Sequence, residues 1–512
     1  MAQPHDKFLA KPQPTGKFVM VALILGTILV SIDGSAMSVA LPSVQRQFDA
    51  TSANLQLIMV AYMIAMAACL LPIGAVSDRV GRKPIYITGL ITFMIGSGFS
   101  ATSSSVEILI FGRVVQGLGA AAISGLAIAI LTGNAERERV PKIIAMWTTL
   151  SLMASTAGPF VGGFLVSTFG WRSVFYFNLP FTFFVLVVAI FSLKDDHKVQ
   201  AQRMKLTGGL LIALTLSSFT WAIMQMQQFG FTSSKVILPL VISILVLAVL
   251  VFEQRHTEIP LVEWGSLLRN PIPVTLMLSL LSGLALSGSM YQMTIFNQNV
   301  LGFSPTLAGS VSLITTLACA VLASLAAKLL QTIGSAVPVM VSLLIAAAAM
   351  MILAQLNPSS TLIFVMIGLL VLGIGIGIAN PIISSIAMQS AGNSGSGAVS
   401  GSLGLVGSIG SILGITVMGG VTTRVALLDW EKNGGDSALN GFVGVGNLEG
   451  VASQAGQAAR ELAANSYAAG VNSTFIVGAV ILVISALLAI AVLPKKPLQS
   501  DVEVPVIAPP IV

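Results

Sequence analysis

Of 512 residues, 55% are hydrophobic and only 9% carry charge, which leaves too little polar surface to enclose a soluble core of that size and excludes a water-soluble globular protein. The formal net charge of +6 resides in polar segments between apolar runs, so it reads as a membrane orientation signal and not as a nucleic-acid surface. The two cysteines, Cys69 and Cys319, lie inside apolar runs and the three histidines, His5, His197 and His256, lie in polar ones, so neither a disulfide framework nor a metal site is implied.

Apolar runs of about 17 to 28 residues separated by short polar clusters call for helical crossings of a bilayer and not for the alternating strands of a barrel. In chain order the expected crossings are Phe18 to Ala40, Asn54 to Gly74, Ile85 to Ala101, Val106 to Leu131, Ile143 to Val166 and Val174 to Leu193. An inserted hairpin follows, Leu206 to Gln225 and Val236 to Phe252. The last group is Val274 to Gln298, Pro305 to Leu330, Val337 to Leu356, Thr361 to Met388, Ala398 to Arg424 and Ser473 to Leu493. The expected fold is therefore all-α and integral to the membrane, with about fourteen helices arranged six, two and six. The domain reading is a tail over 1–17, a six-helix bundle over 18–193, an inserted hairpin with flanking loops over 194–273, a second bundle over 274–493 and a tail over 494–512. Lys and Arg concentrate on the side of the N-terminal tail, around Arg79, Arg82, Lys83, Arg137 and Arg139, which places both termini in the cytoplasm. One outer loop, 428–472, is long and polar, and its Ala, Gln and Glu content is that of a hairpin or short helix over the outer mouth.

Inside the apolar runs, strongly ionisable residues are rare. Asp33 interrupts the first crossing, and a lone carboxylate in lipid costs on the order of 2.5 to 3.5 kcal/mol even on the mildest insertion scale. It should therefore face a protein interior or a water-filled cavity. Arg113 is its counterpart in the fourth crossing. Asp33 lies about 14 Å below the outer end of its helix and Arg113 about 10 Å below the outer start of its own, so a pair across the interior is geometrically allowed. Between Glu263 and Asp429 there is no carboxylate. The polar equipment of the second half is Tyr291, Gln292, Asn297, Gln298 and Asn380, which orients a ligand but carries no protons. With Met37, Gln116 and the many Phe and Met side chains, these suit a cavity for a lipophilic cation, whose sign the single carboxylate selects. Gly373-x-Gly375-x-Gly377 lies within an apolar run and is no phosphate loop. Gly158-x-x-x-Gly162, Gly397-x-x-x-Gly401 and Gly410-x-x-x-Gly414 read as close helix contacts in lipid.

These residues match a known pattern. Gly74-Ala-Val-Ser-Asp78-Arg79-Val-Gly81-Arg82-Lys83-Pro84 resembles the hallmark loop of the major facilitator superfamily. Arg113-x-x-Gln116-Gly117-x-Gly119 is similar to its fourth-helix motif, and Gly158-Pro159-x-x-Gly162-Gly163 to the fifth-helix motif of exporters. Trp171, Arg172, Asn178 and Pro180 fit the loop and helix that follow. Asp33 with Val39-Ala40-Leu41-Pro42 resembles the first-helix motif of the fourteen-helix drug:proton antiporters, the branch of the quaternary-ammonium exporters. Ser35, Ser38 and Ala154 depart from that branch, which usually has Thr, Asn and Gly there.

The resemblance implies a major facilitator fold and alternating access by two rocking six-helix bundles. It implies proton-coupled export of lipophilic, cationic drugs or antiseptics across a bacterial plasma membrane by a monomer, with no cofactor, no metal and no enzyme chemistry. Asp33 and Arg113 then couple proton to cargo, and Gly74, Asp78, Arg79, Gly81, Arg82 and Lys83 form the conformational switch. A proton-coupled exporter or uptake permease for one metabolite, such as a siderophore, amino acid or endogenous antibiotic, is the alternative.

Overall fold

The computed structural model describes residues 17–133, 140–193, 207–229, 232–257 and 270–495. Almost all of the expected tails and of the loops flanking the hairpin lie outside these residues. So do the side chains of Asp78 and Arg79 and the contacts of Gly397 and Gly401.

All the secondary structure among the described residues is helical. The first half comprises α1 (Lys17–Phe48), α2 (Ser52–Val80), α3 (Arg82–Ala101), α4 (Val106–Gly133), α5 (Val140–Phe169) and α6 (Ser173–Ser192). The hairpin is α7 (Thr207–Phe229) and α8 (Ser234–His256). The second half begins with α9 (Ile272–Asn299), α10 (Pro305–Ile333) and α11 (Ala336–Leu353). A helical run Leu362–Lys432 then carries two spans, α12 (Leu362–Ser390) and α13 (Ser402–Lys432). The described part of the second half closes with a four-residue helix, α14 (Asn440–Val443), and α15 (Leu448–Val492). Twelve helical stretches among the described residues are long and apolar enough to cross a bilayer, two fewer than expected. The two outside that set are α5 and α7; the apolar part of α7, Thr207–Ile223, is short.

Element boundaries follow local chemistry. Thr51, Ser304 and Thr361 each accept a backbone N–H at the start of α2, α10 and α12, satisfying a donor that the first turn leaves free. The first crossing runs past its expected end, through Pro42, to Phe48. The switch loop is shorter than its sequence suggests. α2 stays helical through Asp78 and Arg79 to Val80, and the reversal rests on Gly81, whose φ of 107° a side chain would resist.

A straight helix of 71 residues would be roughly 107 Å long, but α12 and α13 run antiparallel. Asn472 of α15 donates to the Leu356 carbonyl, just before α12, at 2.9 Å. Two residues on, Thr474 meets Thr422 of α13 at 2.7 Å. Glycines set these contacts: Gly373 and Gly377 lie against the α10 backbone at Thr315 and Cys319, and Gly410 and Gly414 against α9 at Leu280 and Leu284. Gly410 and Gly414 are the close helix contacts that their spacing suggests.

The two halves meet at the end that bears the α1–α2 turn. There Gln298 donates to the Val39 carbonyl (3.1 Å), Asn299 to Gln45 (3.0 Å), and Ser52 bonds Thr423 (3.1 Å). Thr306 of α10 bonds both the Gly163 carbonyl and Ser167 of α5. Above this seam lies the long polar loop. It continues α13 to Lys432, turns through Ser437–Leu439 and α14, and enters α15, which kinks at Gly456 (φ 82°). Trp430, Leu439, Val443, Leu448 and Val451 are its own buried side chains, and Gln45 of α1 donates to the Val445 carbonyl at 3.3 Å. The loop is thus an ordered cap seated on both halves.

Candidate functional site

Helical spacing puts the key side chains inside the first bundle. On α1, Leu29, Ala36, Met37 and Ala40 are all buried and share a face with Asp33 at intervals of three, four and seven. The same spacing on α4 aligns Arg113 with Leu109, Gln116 and Ala120, and on α6 aligns Asn178 with Phe175, Thr182 and Val185, every one buried. Gly96 of α3 lies against the backbone of Gln116, where a Cβ would overlap it; that close approach brings Ser97 within reach.

Asp33 and Arg113 are both 0% exposed and form an ion pair at 2.7 Å, Nη1 to Oδ2. The other carboxylate oxygen accepts from Asn178 Nδ2 at 2.6 Å and from Gln116 Nε2 at 3.3 Å. Gln116 closes the circuit: its Oε1 accepts from Arg113 Nη1 at 3.0 Å and its Nε2 also donates to Ser97 Oγ at 2.9 Å. Arg113 Nε donates to the Ile58 carbonyl at 3.4 Å. The guanidinium carbon lies 4.2 Å from the Tyr62 ring centroid and 6.0 Å from that of Phe175. A buried pair survives loss of water only when its remaining donors and acceptors are met, and removing one member then costs about 3–5 kcal/mol. Here both carboxylate oxygens and Arg113 Nε and Nη1 have partners. Both charges are paired and buried in this state.

The remaining expected residues scatter. Met37 is buried one turn from Asp33. Tyr291, Gln292, Asn297 and Gln298 are buried on α9, but Gln298 joins the seam between halves, and the side-chain carbonyls of Asn297 and Gln298 have no hydrogen-bond partner among the described residues. Asn380 is exposed on α12. At the switch turn, Arg82 Nη1 donates to the Ala129 carbonyl near the end of α4 at 2.8 Å. On α5, Gly158 and Gly162 pack on Ser35 and Ala36 of α1, while Gly163 lies against the Pro305 carbonyl of α10. Sequence reasoning missed Ser97 and Tyr62 and assigned no contact to Asn178. A lone serine or tyrosine in an apolar run carries no signal of its own.

A family model described as "Major Facilitator Superfamily" matches residues 23–415. The chain belongs to the Major Facilitator Superfamily. As a major facilitator it is a multi-pass membrane transporter and not an enzyme. It is 29% identical over 409 residues to the "Multidrug resistance protein Stp" of Mycobacterium tuberculosis, covering 80% of this chain and 76% of that one. It is 27% identical over 423 residues to the "Methylenomycin A resistance protein" of Streptomyces coelicolor, covering 82% and 88%. Among solved structures it is similar in fold to a bacterial homologue of the human lysosomal transporter Spinster in an inward-facing, unoccupied conformation. The TM-score is 0.68 at 19% identity, over 94% of this major facilitator and 97% of that chain.

Proposed function

We propose that this major facilitator is a proton-coupled antiporter that exports lipophilic, cationic drugs by alternating access. The observation that carries the reading is the Asp33 cluster: a carboxylate fully buried in the first bundle, held by one cation and two amides. Such a group is expensive in a membrane interior and marks a coupling or cargo site. Its pairing with Arg113 refines the expectation drawn from sequence. The pair is neutral, so a cation engages Asp33 only by displacing Arg113, whereas a proton does so by neutralising the acid. Proton and cargo thus compete for one carboxylate, and the coupling is reciprocal.

The drug-resistance names of the relatives support export. In this reading α5 and α7 complete fourteen crossings in the plasma membrane of a bacterium. Both termini are cytoplasmic and the chain works as a monomer. The α1–α2 end faces outward, so the closed seam with its cap is the outer gate and the conformation is inward-facing. The switch turn at Gly81 is then cytoplasmic, and the bond from Arg82 to α4 belongs to its set of state-dependent contacts.

The experiment is accumulation of a fluorescent lipophilic cation in cells with and without the protein. Wild type lowers accumulation and an uncoupler abolishes the difference, while Asp33→Asn behaves as cells without the protein. Export by Asp33→Asn at wild-type efficiency, in spite of the lost carboxylate, overturns the assignment.

A further inference from the structure

The ring of Tyr62 is the part of the cluster that the exchange described above leaves unexplained. It lies on α2, one helical turn past Ile58, whose carbonyl already takes Arg113 Nε. Tyr62 is 4% exposed, yet its hydroxyl has no hydrogen-bond partner among the described residues. A buried phenol normally finds a partner for that group. Here the contact is made by the face of the ring, with the Arg113 guanidinium carbon 4.2 Å from its centroid. A cation over an aromatic face is attracted by the ring quadrupole, more strongly when water is excluded.

The charges that act on Tyr62 are Asp33 from α1 and Arg113 from α4. The other elements around the pair contribute neutral groups: Ser97 from α3, Asn178 and Phe175 from α6. While Asp33 is ionised, Arg113 has a counter-ion and the ring adds little. Once Asp33 is neutralised, the guanidinium keeps carbonyl acceptors, those of Gln116 and Ile58 and of the neutral side chain at position 33, but loses its counter-charge, and an uncompensated buried cation is costly.

We propose that Tyr62 is a positioning residue for the coupling step: its ring face holds the Arg113 charge in place while Asp33 is neutral, so that the same pair re-forms when the proton leaves. This inference rests on the coupling role assigned to Asp33. The hydroxyl plays no part in it, and the interaction strengthens when the acid is silenced. A merely structural ring would not show that dependence.

The test replaces Tyr62 by phenylalanine and by mono-, di- and trifluorinated phenylalanines, which keep the shape of the ring and progressively withdraw charge from its face. Thermal unfolding of the purified full chain is measured in wild-type and Asp33→Asn backgrounds. Tyr62→Phe is expected to leave both midpoints near their starting values. Trifluorination is expected to lower the midpoint at least about twice as much in Asp33→Asn as in wild type, a coupling read as a double-mutant cycle. Equal effects in the two backgrounds overturn the inference.

Efflux supplies a second readout should Asp33→Asn not accumulate. With each fluorine the maximal rate falls while the half-saturating cargo concentration is unchanged. A change in half-saturation alone means that the ring touches cargo, and also overturns it. Efflux by the wild type that ignores an uncoupler overturns the coupling reading instead, and the unfolding cycle then decides the role of Tyr62 independently.

Discussion

Asp33 has no idle oxygen in the state described: one takes Arg113, the other takes Asn178 and Gln116. Hydrogen bonds to a charged group contribute about 1.5–3 kcal/mol, against about 0.5–1.5 kcal/mol between neutral groups. Asn178→Leu is therefore expected to destabilise the wild-type protein by about 1.5–3 kcal/mol, and by roughly half that in an Asp33→Asn background. Denaturation of the purified protein in both backgrounds checks the difference. At this scale the sequence was informative wherever a charge stood in an apolar run, because lipid makes charges rare; Asp33 and Arg113 announce themselves. Gln116 entered through the Arg113-x-x-Gln116 motif, as a cavity residue. Ser97 and Tyr62 did not, because neutral polar and aromatic side chains are ordinary in membrane helices and acquire meaning only from what they touch.

Helix seams in this protein are set by glycine, since lipid supplies no hydrophobic drive to press helices together and close backbone approach must supply contact instead. α5 and α10 show this in reciprocal form: Gly163 lies against the Pro305 carbonyl and Gly309 against the Pro159 carbonyl. A side chain at either glycine meets backbone, which cannot step aside. Gly309→Val is thus expected to prop the seam open and abolish transport while membrane levels stay near wild type. A cysteine at Thr306 should then react faster with a membrane-impermeant maleimide; unchanged labelling would refute the wedge. The glycine-proline run on α5 and the residues Pro305 and Gly309 on α10 were visible in the sequence, but their pairing across the seam was not. The cap over the seam was readable as a hairpin or short helix over the outer mouth. Its seating on Gln45 depends on contacts hundreds of residues apart along the chain.

On the scale of the molecule, the hydrogen bonds that join the halves among the described residues gather at one end, through α1 with α9, α2 with α13, and α5 with α10. If that end opens during each cycle, tying it shut stops transport. Ser167 and Thr306 have their hydroxyls 2.9 Å apart across the seam, so paired cysteines there are close enough for a disulfide. The Ser167→Cys/Thr306→Cys protein is expected to lose efflux under an oxidant and to regain it with a reductant. Oxidised protein that still exports at the wild-type rate would show that this seam does not gate.

From the residues alone came the membrane, the helices, the family and the acid–base pair at the centre. These follow from local costs: apolar length, the penalty for charge in lipid, and motifs contiguous in the chain. Tertiary structure alone decided which end is closed, that the pair is already satisfied, and that a ring stands beneath Arg113. Those are distances between segments remote in sequence, set by how helices pack within the first bundle and how that bundle meets the second, and neither composition nor periodicity encodes them.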